Sequence, residues 1–150
     1  MNVRVMVAIA CLCLSACASA PQPEVNARYS VVFGIVSKPD QKPLVVDRIT
    51  DMIPLNSDGS MPRIAARVEA PDAAPFLLSY VVYRRDTASG KYVQTETSPT
   101  WRIKSNPPPA TAFIRPDFLD GVFLGKYRFE IFVNERLDST LHFSVVPSGT

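Results

Sequence analysis

The sequence predicts an all-β fold, an antiparallel β-sandwich of about seven to nine short strands, on three observations. Apolar residues recur with a period of two almost everywhere after residue 28. Fourteen prolines are spread through the 150 residues, which argues against a bundle of long helices. Turn-forming clusters of Gly, Pro, Asn, Asp and Ser separate the apolar runs. Residues 28–150 suffice for one domain with a single core, and no repeat, low-complexity tract or second linker divides them.

Along the chain, "YSVVFGIV" (29–36) is apolar on both sides, as a strand covered on both faces would be. Val45 to Ile49 is a weaker strand candidate. "RIAARVE" alternates, with Ile64, Ala66 and Val68 inward. "FLLSYVVYRR" (76–85) is nearly continuous and reads as a central strand. The "DTASGK" turn (86–91) leads into "KYVQTE", and Trp101 with Ile103 marks a further strand. Ala112 to Ile114 is a second weak candidate, and "FIRPDFLDG" has room for one helical turn.

The two C-terminal segments carry the clearest pattern. In "KYRFEIFVN", Tyr127, Phe129, Ile131 and Val133 share one face; in "RLDSTLHFSVV", Leu137, Leu141, Phe143 and Val145 do. A plain two-residue Asn134-Glu135 turn sets Phe129 against Thr140, apolar against polar. A connection from Asn134 to Arg136 sets Val133 against Leu137, Phe129 against Leu141 and Tyr127 against Phe143. A one-residue slip turns a whole strand face over, so the pattern demands an odd connection or a bulge.

Ahead of this domain lie three cysteines, at 11, 13 and 17, and the chain has no others. Arg4 and then the uncharged run Val5 to Leu14 have the dimensions of a secretory signal, shorter than the ~20 residues of a bilayer span. Leu14-Ser15-Ala16-Cys17 resembles the bacterial lipobox, an aliphatic residue and two small ones before a cysteine. The resemblance implies that residues 1–16 are a cleaved lipoprotein signal peptide. Cys17 then becomes the first residue, carrying a diacylglycerol on its thiol and an N-acyl chain. One acyl chain at ~0.8 kcal/mol per methylene holds only marginally, whereas two or three hold firmly. An ordinary signal cut after Ala18 or Ala20 would instead discard Cys17. Ala18 stands where an Asp commonly retains such lipoproteins in the inner membrane, so the resemblance implies the outer membrane, facing the periplasm. Residues 17–27 then form the acylated cysteine and a proline-containing tether, and 28–150 the sandwich.

Loss of residues 1–16 removes one charge, Arg4, and leaves 15 basic against 14 acidic residues. That near-neutral balance argues against a nucleic-acid partner. After processing the domain has neither disulfide nor free thiol, and must be stable without staples.

The search for chemistry is brief. His142, the single histidine, falls at an outward position of the last strand, where a solvated or cross-strand role is expected. No G-x-S-x-G elbow surrounds a serine, and no second histidine or thiol completes a metal set. Asn56-Ser57-Asp58-Gly59-Ser60 faintly resembles a calcium loop but lacks the distal glutamate, so it reads as a turn. Asp117 and Asp120 flank Phe118-Leu119; they are a carboxylate pair for acid–base work or ordinary loop aspartates. Pro107-Pro108-Pro109 is a stiff connector or a docking epitope. Tyr83, Arg84, Arg85, Tyr92 and Trp101 are the candidate interaction surface, and no residue is assigned as catalytic and no metal is expected.

The order of features resembles an uncharacterised envelope domain of bacteria with an immunoglobulin-like sandwich. It is carried by "FGIV", "VDRITDMIP", the alternating strand from Arg63 and "GKYRFEIFVNERLDSTLHFSVV". The resemblance covers most of residues 29–146 and brings no assigned catalytic residues. With no thiol after processing, one outward histidine, no nucleophile elbow and no metal set, a protein-binding, structural or accessory module of the envelope is expected, not an enzyme. A secretion-system accessory or an immunity lipoprotein fits this description. An envelope-polymer hydrolase using Asp117 and Asp120, or His142, and a carrier of a small apolar ligand are the alternatives. No cofactor is expected beyond the lipid on Cys17; the membrane, through that anchor, and an envelope protein are the expected partners.

Overall fold

Residues 29–38, 40, 44–70, 75–104, 110–118 and 121–149 are described by the computed structural model. The proposed signal (1–16), Cys17 and the tether (17–27), Pro107 to Pro109 and Asp120 lie outside them. The described residues form ten strands: β1 (Ser30–Ile35), β2 (Arg48–Ile49), β3 (Met52–Leu55), β4 (Ile64–Ala70), β5 (Phe76–Arg85), β6 (Tyr92–Thr97), β7 (Trp101–Ile103), β8 (Ala110–Ile114), β9 (Gly125–Val133) and β10 (Arg136–Pro147). They form a four-stranded sheet, β2-β1-β4-β8, and a six-stranded sheet, β3-β10-β9-β5-β6, with β7 also paired to β5.

With β1, β4 and β8 as strands A, B and E, and β5, β6, β9 and β10 as C, C′, F and G, this is the immunoglobulin-like order. A hallmark of that fold is a tyrosine at the start of strand F tied to backbone just upstream. Tyr127 fills the role: its hydroxyl donates to the Phe123 carbonyl (2.9 Å) and accepts from the Phe123 N–H (3.1 Å). The ring is 1% exposed and stacks on Phe143, 5.1 Å between centroids.

The inward faces meet as the alternation requires. Ile64, Ala66 and Val68 of one sheet and Leu78, Tyr80, Val82, Phe129, Ile131 and Val145 of the other are all buried. Phe129 lies at the centre, edge-on to Tyr80 (5.2 Å) and to Phe33 (6.1 Å). Phe129 and Leu141 are partners, as are Tyr127 and Phe143, the register that matches apolar to apolar.

The hairpin achieves this register with a bulge and not with an odd connection. Asn134 and Glu135 form a two-residue turn with positive φ (50° and 65°), the hairpin geometry that suits right-twisted strands. A shift between Leu137 and Ser139 then inserts one extra residue, Asp138. The expected pairing of Val133 with Leu137 is therefore corrected: Val133 faces Arg136, Leu137 is 40% exposed, and Asp138 is buried.

Two departures concern the edges. β3 is not among the strands expected from the sequence; it contains Pro54, which lacks an N–H and suits a strand only at an edge. It is an edge strand, and it pairs parallel to β10, Met52 with Ser144 through Leu55 with Pro147, the one parallel ladder among the described residues. No helix is assigned among the described residues, so the helical turn expected between 113 and 121 is not seen in its described part. Phe113 and Ile114 belong to β8, Phe118 has positive φ, and its carbonyl accepts from the Gly121 N–H (2.8 Å). Asn56 to Ser60 is a turn held by the Asp58 carboxylate, which accepts from the Ser60 N–H and hydroxyl.

Candidate functional site

The outward face of the six-stranded sheet gathers three of the candidate side chains, Tyr83, Arg85 and Tyr92. Tyr83 on β5 and His142 on β10 are the cross-strand partners of Arg128 on β9 from opposite sides. Tyr92 at the start of β6 reaches over the same guanidinium. The Arg128 guanidinium carbon stands 4.3 Å from the Tyr83 ring centroid and 4.9 Å from that of Tyr92, so the cation is bracketed by two rings. His142 meets Tyr92 edge to face at 6.2 Å. Arg128 Nε sits 3.0 Å from Glu130 Oε1, an ion pair without the alignment of a hydrogen bond.

The five residues expected to form one surface are thus divided. Tyr83 and Tyr92 come together, joined by Arg128. Arg85 ends β5 on the same side, and its Nε donates to the Gly90 carbonyl (3.0 Å), clasping its own turn. Arg84 points the other way and lies 4.5 Å over the Phe123 ring. Trp101 packs at the inward edge against Tyr80, 5.9 Å between centroids, and is 40% exposed.

A buried carboxylate forms a second cluster. Glu96, 7% exposed, accepts the Tyr80 hydroxyl, the Asp117 N–H (3.0 Å) and the Phe118 N–H (2.7 Å). Tyr80 oxygen also lies 3.2 Å from the Arg115 carbonyl. Burial first, then the bond to Glu96 and its charge, raise the Tyr80 hydroxyl well above its ordinary value of 10.0. Strict alternation in "KYVQTE" would put Glu96 on the same face as Tyr92 and Gln94. A register shift opposite Val82 and Tyr83 makes Glu96, not Thr95, the partner of Val82, and turns it inward. No local signal in the sequence marks that bulge.

Beside Glu96 a cavity of about 100 Å³ is lined by Arg84, Thr95, Phe118, Gly121, Phe123 and Tyr127. The Glu96 oxygens accept two backbone N–H groups of the segment after β8 and the Tyr80 hydroxyl of β5, so the carboxylate ties that segment to the large sheet. Asp117 is exposed, and its backbone N–H is committed to Glu96. His142 is exposed at the outward position expected of it. Among the described residues no group of three or more His, Cys, Asp or Glu is placed to hold a metal ion, and no helix is long and apolar enough to cross a membrane.

The fold and site define an immunoglobulin-like β-sandwich module. No family model matches the chain, and no curated protein matches it. Among solved structures, an immunoglobulin-like protein of Pseudomonas aeruginosa aligns at 18% identity over 78% of this chain and 92% of its own, with a TM-score of 0.42. An alkylpurine DNA glycosylase of Pseudomonas fluorescens, bound to DNA with an abasic site analog, aligns at 14% identity with a TM-score of 0.46. That match covers 80% of this chain but only 31% of the glycosylase. A β-glucosidase of Listeria innocua aligns at 8% identity over 79% of this chain and 16% of the enzyme, with a TM-score of 0.44. Nothing of the activities of these enzymes transfers at such identities.

Proposed function

We propose that this chain is a lipid-anchored binding module of the bacterial envelope, acting through the outward face of its large sheet on an envelope protein. The observation that carries the reading is Arg128 bracketed by Tyr83 and Tyr92 beside exposed His142. Tyr and Arg are the residues most enriched at interface hot spots, and these stand on a rigid sheet. The anchor rests on Leu14 to Cys17, and the outer membrane facing the periplasm on Ala18. Within this class the chain serves as a structural or accessory factor, of which a secretion-system accessory or an immunity lipoprotein is an instance.

Complementation of a deletion strain tests the binding role, read beside thermal unfolding of each variant. Tyr83→Glu should fold and fail, whereas Asp117→Asn and Asp120→Asn should complement. Stable but inactive aspartate variants, with a tolerated Tyr83→Glu, would turn the reading to the hydrolase. For the anchor, Cys17→Ala should abolish labelling by a palmitate analogue; unchanged labelling would sink that part.

One observation favours a second reading, the carrier. Between β1 and β10 an open groove of about 540 Å³ is lined by Val31, Val32, Phe33, Ile49 and Leu141, with Thr50, Asp51 and His142 as its polar members. An apolar fluorescent probe that binds there should be lost on Val32→Asp; absence of any probe binding removes this reading.

A further inference from the structure

Resting on the binding role proposed above, the geometry points to what this face recognises: a single carboxylate on an acidic segment of a protein partner, seated on the guanidinium of Arg128. A surface arginine usually loses side-chain freedom when it engages a ligand. Here part of that loss has already occurred, because the guanidinium packs against two aromatic rings, 4.3 and 4.9 Å from their centroids. Its Nε edge is turned to Glu130 at 3.0 Å. Arg128 donates no hydrogen bond among the described residues. The four terminal N–H groups therefore remain for an incoming acceptor, in a fork whose spacing matches two carboxylate oxygens.

Charge complements the geometry. On the outward positions of β5, β6 and β9 the charged side chains are Arg85, Lys126, Arg128 and Glu130. Glu130 offsets one cation, and the remainder leaves the face positive next to the Tyr92 ring. The nearby anion also biases the choice of ligand: Glu130 repels every anion that approaches the fork, and a dianionic phosphate about twice as strongly as a singly charged carboxylate. The two tyrosines border the seat and supply apolar area with hydroxyl tips, so the carboxylate would be shielded from water on binding. His142, edge-on to Tyr92, lies on the same rim.

The test uses the full-length chain in non-ionic detergent at low ionic strength, with fluorescein-labelled hexaglutamate as probe and anisotropy as readout. Saturable binding is expected, with hexaglutamine not bound and inorganic phosphate a poor competitor. Arg128→Lys keeps the cation but lacks the fork, and should bind at least about tenfold more weakly. Arg128→Gln should bind no better, and both variants are to be checked for unchanged thermal unfolding. Equal binding by Arg128→Lys, equal capture of hexaglutamine, ready displacement by phosphate, or no binding by the unaltered chain would each overturn the inference. The binding role itself fails separately, by a tolerated Tyr83→Glu in the complementation test.

Discussion

Tyr80 on β5 donates its hydroxyl to the buried carboxylate of Glu96 on β6, and that carboxylate holds the backbone of Asp117 and Phe118. One acidic side chain thus links the centre of the large sheet to the loop that follows β8 on the opposite sheet. The link predicts the cost of its removal. Glu96→Gln can no longer accept every donor and should lose about 1–3 kcal/mol; Glu96→Ala, which strands the Asp117 and Phe118 N–H groups and leaves the Tyr80 hydroxyl only the Arg115 carbonyl, should lose more. Urea unfolding of both variants checks the order. A cost for Glu96→Ala within about 0.5 kcal/mol would refute the clamp.

The same pair predicts an alkaline limit. The Tyr80 hydroxyl titrates above its ordinary 10.0 in the folded chain, through burial and then Glu96. Below pH 10 both folded and unfolded chains keep this proton, and the full contribution is present. Above it the unfolded chain releases the proton while the folded chain retains it, so stability falls as pH rises through the folded value. The urea midpoint should drop above pH 10 and do so less steeply in Tyr80→Phe. Parallel profiles would count against the assignment.

At the acid end, exposed Asp58 and Asp86 are lowered below 3.8 by bonds from Ser60 and Ser89. Their contribution is present above the unfolded value and is lost as pH falls through the lower folded values. Ser89→Ala should shift the Asp86 titration, followed by NMR, back upward.

Glu135 sits at φ 65° in the second position of the hairpin turn, where a side chain carries left-handed strain. Glu135→Gly should raise stability by about 0.5–1 kcal/mol, despite the greater freedom of glycine in the unfolded chain. Asn134 should not be exchanged, since its N–H donates to the Leu77 carbonyl and its Oδ1 accepts from the Leu77 N–H, both at 2.9 Å. A destabilised Glu135→Gly in thermal unfolding would contradict the turn.

Phe129 is fully buried between Tyr80 and Phe33, and no disulfide or metal supplements this core among the described residues. Phe129→Ala should cost about 3–5 kcal/mol by chemical denaturation. A loss below about 1 kcal/mol would show that the two sheets do not close over it.

Local pattern alone made much of this protein legible. The period of two marked the inward faces of β4 and β9, because alternation is a property of each strand by itself. Matching apolar faces even required the slip between β9 and β10, since Phe129 had to meet Leu141. The tertiary structure decided the rest. β3, which contains Pro54, depends for its existence on a partner edge some ninety residues away. The bulge on β6 turned Glu96 inward, and parity on β5 sent Arg84 away from Tyr83, so the expected surface lost Arg84 and Trp101 and gained Arg128. Side-chain alternation is written residue by residue, whereas a bulge or a cross-strand neighbour is set by the strand alongside.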